Sequence, residues 1–333
     1  MIKISLIIPT YNSKNTIIDC LNSVYNGQKI PYEVIIVDDC STDKTTKLVQ
    51  SKKFHNLRIF KTQKNSGPAT ARNLGALKAK GTHLFFIDSD TIIDKYAISL
   101  YFKICNKFDA IVGVYDERPI NDTIFSWYKS LLYYFMLGKL SKIQYDQFSA
   151  SCAGIKKKVF REIKGYDEWF KSGCDLENEE LGYRIVENNF TMILEPKMKV
   201  SHNFPGFKKM TSTFFHRTAL WFEMFCARNK FAKAGGTAGM GIASISCTMS
   251  VITLLFSFFY EQFIFFTLFF FSIFMYIFSS FFIFCLIKYP QKLISNFVLS
   301  LYFSNVISLG AFWGLIKVIS KKSQIYNRFK KIV

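Results

Sequence analysis

Acid is almost missing from the last third of this sequence. From Ala234 to the end there is one acidic residue, Glu261, against eight basic ones. The whole 333-residue chain carries 43 basic and 24 acidic residues, a net charge of +19. Basic residues beside apolar stretches suit an anionic lipid surface. Nucleic acid would attract the same charge, but the sequence has no RNP, zinc-finger or helix-turn-helix pattern, and nucleic acid is excluded as a partner on that ground. The eight cysteines form no CxxC pair and keep no regular spacing, which argues against a zinc site or a disulfide framework. They read as small, reduced, buried side chains. There is no glycine-rich loop bearing a lysine, so P-loop chemistry is excluded. No internal repeat is visible. The opening "MIKISLIIPTYN" has only a few apolar residues before Pro9, too few for a signal peptide. The N-terminal half is therefore expected in the cytoplasm.

What is abundant is phenylalanine, 37 residues, most of the excess lying beyond residue 214. Residues 238–260 and 263–287 each offer enough apolar length to cross a bilayer, with Glu261-Gln262 as a tight turn between them. A third segment, 293–319, carries Asn296, Ser300, Ser304 and Ser308 at four-residue steps. It is expected either to span or to be re-entrant at the interface. "KYPQK" before it fits the cytoplasmic side, and the basic tail 321–333 fits it only if the third segment fails to cross. Upstream, "FSWYKSLLYYFMLGKL" reads either as a core helix or as a helix lying on the bilayer or over an acceptor groove. "HRTALW" puts Arg217 and Trp221 on one face of an amphipathic helix, with Arg217 a candidate for a phosphate.

The first half alternates strand and helix signals. "ISLIIPT", "YEVIIVDD", "LRIFKT" and "HLFFIDSD" are short apolar runs of the kind buried on both faces of a parallel sheet. Between them, Ser13–Tyr25, "STDKTTKLVQS" and "PATARNLGALKAK" have helical spacing, with Ser41 or Thr42 as N-cap of the second and proline in the first turn of the third. Repetition at this pace predicts an α/β fold whose ligands bind beyond the carboxyl ends of the strands. Pro9-Thr10, Asp38-Asp39 and Asp88-Ser89-Asp90 all fall there. Alternation along an extended tip would put Asp88 and Asp90 on one side. Two hard oxygen ligands so placed suit Mg²⁺ or Mn²⁺ together with phosphate.

"SLIIPTYN", "VIIVDDCSTD", "NSGPATARNLG", "FIDSD" and "ENEELGYR" stand in the order and spacing of family 2 glycosyltransferases, which the chain resembles from Met1 to about His202. "EPKMKVSH" followed by a hydrophobic anchor is similar to the membrane-attached bacterial members. The resemblance implies the GT-A fold, a Rossmann-like mixed sheet with helices on both faces, followed here by transmembrane helices. It implies a nucleoside-diphosphate sugar donor, UDP-linked by the Asp39 argument below, and a lipid-linked or membrane-surface acceptor in envelope polysaccharide or glycolipid synthesis. Inversion at the anomeric carbon is implied as well.

Residue roles follow from the same resemblance. Asp90 would be the direct metal ligand, and Asp88 would contact the metal or the ribose. His202 would complete the metal or diphosphate site. The Asp39 carboxylate would accept the N3–H of uracil, with Pro9 and Tyr11 bordering the base. Such an acceptor selects a base with a ring N–H. Arg72 would be a fixed cation for the diphosphate or a structural ion pair, and Gly67 would allow close backbone approach. Asp43 is left out of the site as a helix-start carboxylate. In "ENEELGYR", the position of the usual general base is Asn178, and an amide cannot take a proton at neutral pH. Glu177, Glu179 or Asp175 substitutes, or the acceptor is a phosphate that needs no base, as in polyprenyl-phosphate sugar synthases. Glu177 would cap or line the acceptor side. Glu180 and Arg184, one helical turn apart, are catalytic candidates or a structural ion pair. A catalytically degenerate nucleotide-sugar-binding scaffold is the reading from another class. The expected layout is a catalytic domain over 1–205, interface helices over 206–235, a hydrophobic anchor over 236–320 and the tail, in the cytoplasmic membrane.

Overall fold

The computed structural model describes residues 1–170, 176–230 and 237–330. Among the described residues, nine strands and twelve α-helices form in chain order. The strands are β1 (Ile4–Thr10), β2 (Glu33–Asp38), β3 (Leu57–Lys61), β4 (His83–Ile87), β5 (Thr91–Ile93), β6 (Ala110–Tyr115), β7 (Ile143–Gln144), β8 (Cys152–Lys156) and β9 (Met192–His202). The helices are α1 (Ile17–Tyr25), α2 (Thr45–Ser51), α3 (Pro68–Lys78), α4 (Ala97–Ile104), α5 (Ile124–Tyr133), α6 (Lys157–Glu162), α7 (Glu177–Glu187), α8 (Phe207–Arg228), α9 (Thr237–Ser257), α10 (Phe263–Lys288), α11 (Leu293–Ile319) and α12 (Gln324–Lys330). They divide into two compact units, one of residues 1–121 with 137–203, the other of 122–136 with 204–333.

The first unit is built on one sheet in the order β3-β2-β1-β4-β8-β6-β9-β5, with β7 added to β9. Strands β3, β2, β1 and β4 are parallel, β8 is antiparallel to both β4 and β6, and β9 runs parallel to β6. β1, β2 and β4 are buried along their whole length, which is why they read as unbroken apolar runs. α1 starts at Ile17, the first apolar position of the 13–25 stretch, after a turn in which the Ser13 carbonyl accepts the N–H groups of Thr16 and Ile17. α2 starts at Thr45, and Asp43, not Ser41 or Thr42, takes its first N–H, at 2.8 Å. Burial opposes ionisation of Asp43, but hydrogen bonds from Thr45 and Lys14 outweigh it and hold the carboxyl below its usual range.

In the second unit the segment 122–136, placed in the catalytic domain on the sequence pattern, packs with the C-terminal helices instead. Its aromatic face explains this: Tyr128 stacks on Phe303, Trp127 meets Tyr289, and Phe135 meets Phe281 and Phe284. Among the described residues, three helices are long and apolar enough to cross a membrane, including Pro290–Ile319. α11 is one unbroken helix of 27 residues, about 40 Å at 1.5 Å per residue. Its Asn296, Ser300 and Ser304 are buried among neighbouring helices. Gly310 and Gly314 let α8 approach closely, since a Cβ at either would stand 2.5 Å from the carbonyl oxygen of Phe215 or Ala219. Beyond them Glu223, 1% exposed, takes hydrogen bonds from Lys317 (3.1 Å) and Ser323 (2.6 Å). Ser323 also accepts the Tyr326 N–H, so much of the basic tail is the helix α12, tied to α8.

Candidate active site

Three loops leave the carboxyl ends of β1, β2 and β4, and short polar side chains stitch them together. Asn12, at φ +51°, accepts the N–H groups of Thr42 (2.8 Å) and Asp43 (3.2 Å), joining the β1 loop to the β2 loop. Asparagine is among the few residues that tolerate that conformation. The Ser13 hydroxyl lies 2.7 Å from that of Ser89, joining the β1 loop to the β4 loop. Neither residue stood out in the sequence, although Asn12 follows directly on the Pro-Thr-Tyr motif. Tyr11 is exposed beside them, and Pro9 is buried in β1.

Asp88 and Asp90 lie on a turn, not on an extended tip. The Thr91 N–H and hydroxyl both bond the Asp88 carbonyl, at 3.3 and 2.7 Å. β5 then pairs with β9 so that Thr91 faces His202. This register brings His202 Nε2 to 3.5 Å from Asp90 Oδ1. One ligand atom each from Asp88, Asp90 and His202 lies within 4.8 Å of the others. Two carboxylate oxygens and an imidazole nitrogen on a part-exposed turn form a donor set that fits Mg²⁺ or Mn²⁺ and leaves positions open for phosphate oxygens.

Arg72, on α3, is 4% exposed and lies between two acids: Nη2 is 2.9 Å from Asp88 Oδ1, and Nη1 is 3.4 Å from Glu177 Oε1. Its guanidinium also lies 5.3 Å from the Tyr166 ring centre. Burial alone would weaken its hold on the proton, but Tyr166, Asp88 and Glu177 push its pKa further up, so the cation is permanent. Of the two roles posed for it, the ion pair is present, with Asp88 and Glu177 as its partners.

Asp39 is buried, and its carboxylate accepts the Thr62 hydroxyl (2.7 Å) and the N–H groups of Ser66 (3.0 Å) and Gly67 (2.7 Å). It therefore anchors the loop that opens α3, where Gly67 has φ +89°. A ring N–H of a base would have to share an oxygen with these donors. Asp38, its neighbour, accepts the Ser41 N–H at 3.0 Å.

At the start of α7, Asn178 is half-buried and its Oδ1 accepts the Tyr166 hydroxyl at 3.2 Å. Glu177 and Glu179 are buried, and Asp175 lies outside the described residues. Glu180 and Arg184 form a two-pronged pair, and Arg184 also donates to the carbonyls of Ile163 and Gly165. Both thus position the turn before Tyr166. Arg217 sits on α8, in the second unit. The seven described cysteines are all free, and Cys174 lies outside the described residues.

A mixed sheet with acids on its strand tips and an Asp-x-Asp turn beside a histidine is the arrangement of the GT-A fold. A solved mannosyltransferase from Pyrobaculum calidifontis, in complex with GDP-Man and Mn²⁺, shares the fold with a TM-score of 0.53 at 16% identity, over 99% of this chain and 83% of that one. Staphylococcus aureus TarS 1–349, in complex with UDP-GlcNAc, matches with a TM-score of 0.50 at 16% identity, over 97% and 93%. In sequence, the poly(ribitol-phosphate) beta-N-acetylglucosaminyltransferase TarS of Staphylococcus aureus strain Mu50 is 41% identical over 99 residues, 28% of this chain and 17% of the relative's length. The chain thus matches only about a sixth of that relative. Residues 5–164 match the model of glycosyl transferase family 2, and the chain carries a family 2 glycosyltransferase domain.

Proposed function

We propose that this chain transfers a sugar from a UDP-sugar to a lipid-linked or membrane-surface acceptor in the synthesis of an envelope polymer or glycolipid. The carrying observation is the cluster of Asp88, Asp90 and His202 with the buried Arg72 cation against it. In this reading residues 1–205, less the segment 122–136, form the catalytic part at the cytoplasmic face. Helix α8 and the following residues to 235 lie at the interface, and α9, α10 and α11 are the anchor.

Asp88, Asp90 and His202 would hold Mg²⁺ or Mn²⁺, which when bound neutralises charge growing on the departing diphosphate. Arg72 adds a cation that needs no reorganisation as that charge develops. Tyr11 offers its exposed ring to the base, and Asp39 fixes the loop around it. The acceptor oxygen bonds the anomeric carbon as the bond to the diphosphate breaks, and the electron pair leaves with UDP, inverting the centre.

A specific observation favours one acceptor class. Asn178 occupies the position of a base yet can only offer or accept hydrogen bonds, and Glu177 is ion-paired with Arg72. An ionised phosphate acceptor needs no proton removed, and its oxygens match an amide donor. Released UDP, measured with the detergent-solubilised chain, Mn²⁺ and a panel of UDP-sugars, tests the activity. Mass spectrometry of lipid products identifies the acceptor. Asp90→Ala should abolish both UDP release and Mn²⁺ binding. Failure of every nucleotide sugar to bind or turn over would overturn the enzymatic reading and leave the scaffold.

A further inference from the structure

Tyr166 was singled out by nothing in the sequence, yet it connects the two halves of the site. It is 2% exposed, with its ring enclosed by Phe86, Phe148 and Phe160 at centre distances of 6.0, 6.4 and 5.9 Å. Its backbone is held from both sides by one residue of α3: the Asn73 amide donates to the Tyr166 carbonyl, and its oxygen accepts the Tyr166 N–H, each at 2.9 Å. The preceding Gly165 has φ +64°, and a Cβ there would stand 2.6 Å from Asn73 Oδ1, so the turn admits only glycine without strain. Arg184 fixes the same turn from the α7 side through the Gly165 carbonyl at 2.7 Å. With ring and backbone both fixed, the hydroxyl has one place to go, the Asn178 side chain at 3.2 Å.

The hydroxyl donates in that bond, and charge keeps it able to do so. Burial, followed by the Arg72 cation acting the other way and by the Glu177 and Asp88 charges, leaves the phenol pKa well above its ordinary value. Tyr166 therefore stays protonated, and in the structure its hydroxyl donates to Asn178 Oδ1. Asn178 accepts through Oδ1, and among the described residues its Nδ2 donates to no protein group. The amide is set with its donor end left over.

We infer that Tyr166 is a positioning residue that orients the Asn178 amide, presenting Nδ2–H to the acceptor and tying that orientation to the Arg72 cation on the donor side. The inference rests on the proposed transferase reading for its functional part. Loss of the hydroxyl frees the amide to rotate, and misplacement on the scale of an ångström reduces turnover by about 10-fold or more.

The test is a double-mutant cycle in the full chain with Tyr166→Phe, Asn178→Ala and the pair, reading released UDP with Mn²⁺ and the best UDP-sugar, UDP affinity and Tm. Tyr166→Phe keeps the ring beside Arg72, so kcat should fall by about 10-fold while KM and the Kd for UDP stay within about 2-fold. The pair should be no slower than Asn178→Ala alone, because the bond is already gone. A Tyr166→Phe variant as fast as wild type, one that loses kcat, UDP affinity and Tm together, or losses that multiply in the pair would each overturn the inference. A wild type that neither binds UDP nor releases it would overturn the transferase reading. The Tm cycle then decides the Tyr166–Asn178 coupling: non-additive losses support it and additive ones end it.

Discussion

Arg72→Met removes the cation shared by Asp88 and Glu177 and keeps a side chain of similar length. The two acids contribute unequally. The Asp88 side chain is 27% exposed and rehydrates when the pair is lost, whereas the Glu177 side chain is 4% exposed and cannot. At the 3.4 Å separation from Glu177, Coulomb's law with an effective dielectric of about 20 gives ~5 kcal/mol. Breaking a buried pair from one side costs about 3–5 kcal/mol in measured cases. Glu177 keeps other interactions, so the lower figure applies. About 3 kcal/mol corresponds to a fall in Tm of roughly 6–12 °C for a unit of this size. Glu177→Gln in the Arg72→Met background removes the stranded charge and should restore at least half of that fall. UDP binding should stay at least about 10-fold weaker in both variants, since the cation facing the diphosphate is absent from each. Thermal melts and UDP calorimetry on the purified chain read both quantities. A single variant melting within 2 °C of wild type, or a double variant melting no higher than the single, would refute the reasoning.

Other consequences are equally open to measurement. Gly314→Leu places a side chain where a Cβ already stands 2.5 Å from the Ala219 carbonyl oxygen, so α8 must shift off α11. Overpacking of this kind costs about 1–3 kcal/mol, and the variant should melt lower and be cut faster by protease within α8; wild-type behaviour in both assays would remove the close helix contact from the account. His83 is buried in β4, and burial, helped by the Lys156 charge, holds its pKa below the ordinary 6.5. The unfolded chain then binds more protons than the folded one as pH falls through 6.5, so stability present above that pH is lost below it. The depressed carboxylates Glu33 and Asp109 act only at lower pH, below 4.5 and 3.8. His83→Gln should flatten the dependence of Tm on pH between 7 and 5.5, and an unchanged slope would assign that dependence elsewhere.

The parts of this protein readable in its sequence are those set by local pattern. Fully buried strands must be apolar on both faces, so β1, β2 and β4 announce themselves, and the polar residues that end them mark the ligand side of the sheet. The long apolar helices α9, α10 and α11 are legible for the same reason, because their length and composition are local properties. Pairing between distant segments is not legible in local pattern, and His202 was assigned to the metal site only through the family resemblance. His202 stands beside Asp90 only because β5 and β9 share a particular antiparallel register. Helix α5 joins the C-terminal helices because its rings meet Phe303, Tyr289 and Phe281 there, a choice that an amphipathic pattern leaves open. Tyr166 looks like any core aromatic until folding sets its hydroxyl against Asn178 and its ring beside Arg72. Periodicity and composition select the elements, but the contacts that make a site are long-range, and packing alone fixes which side chains meet.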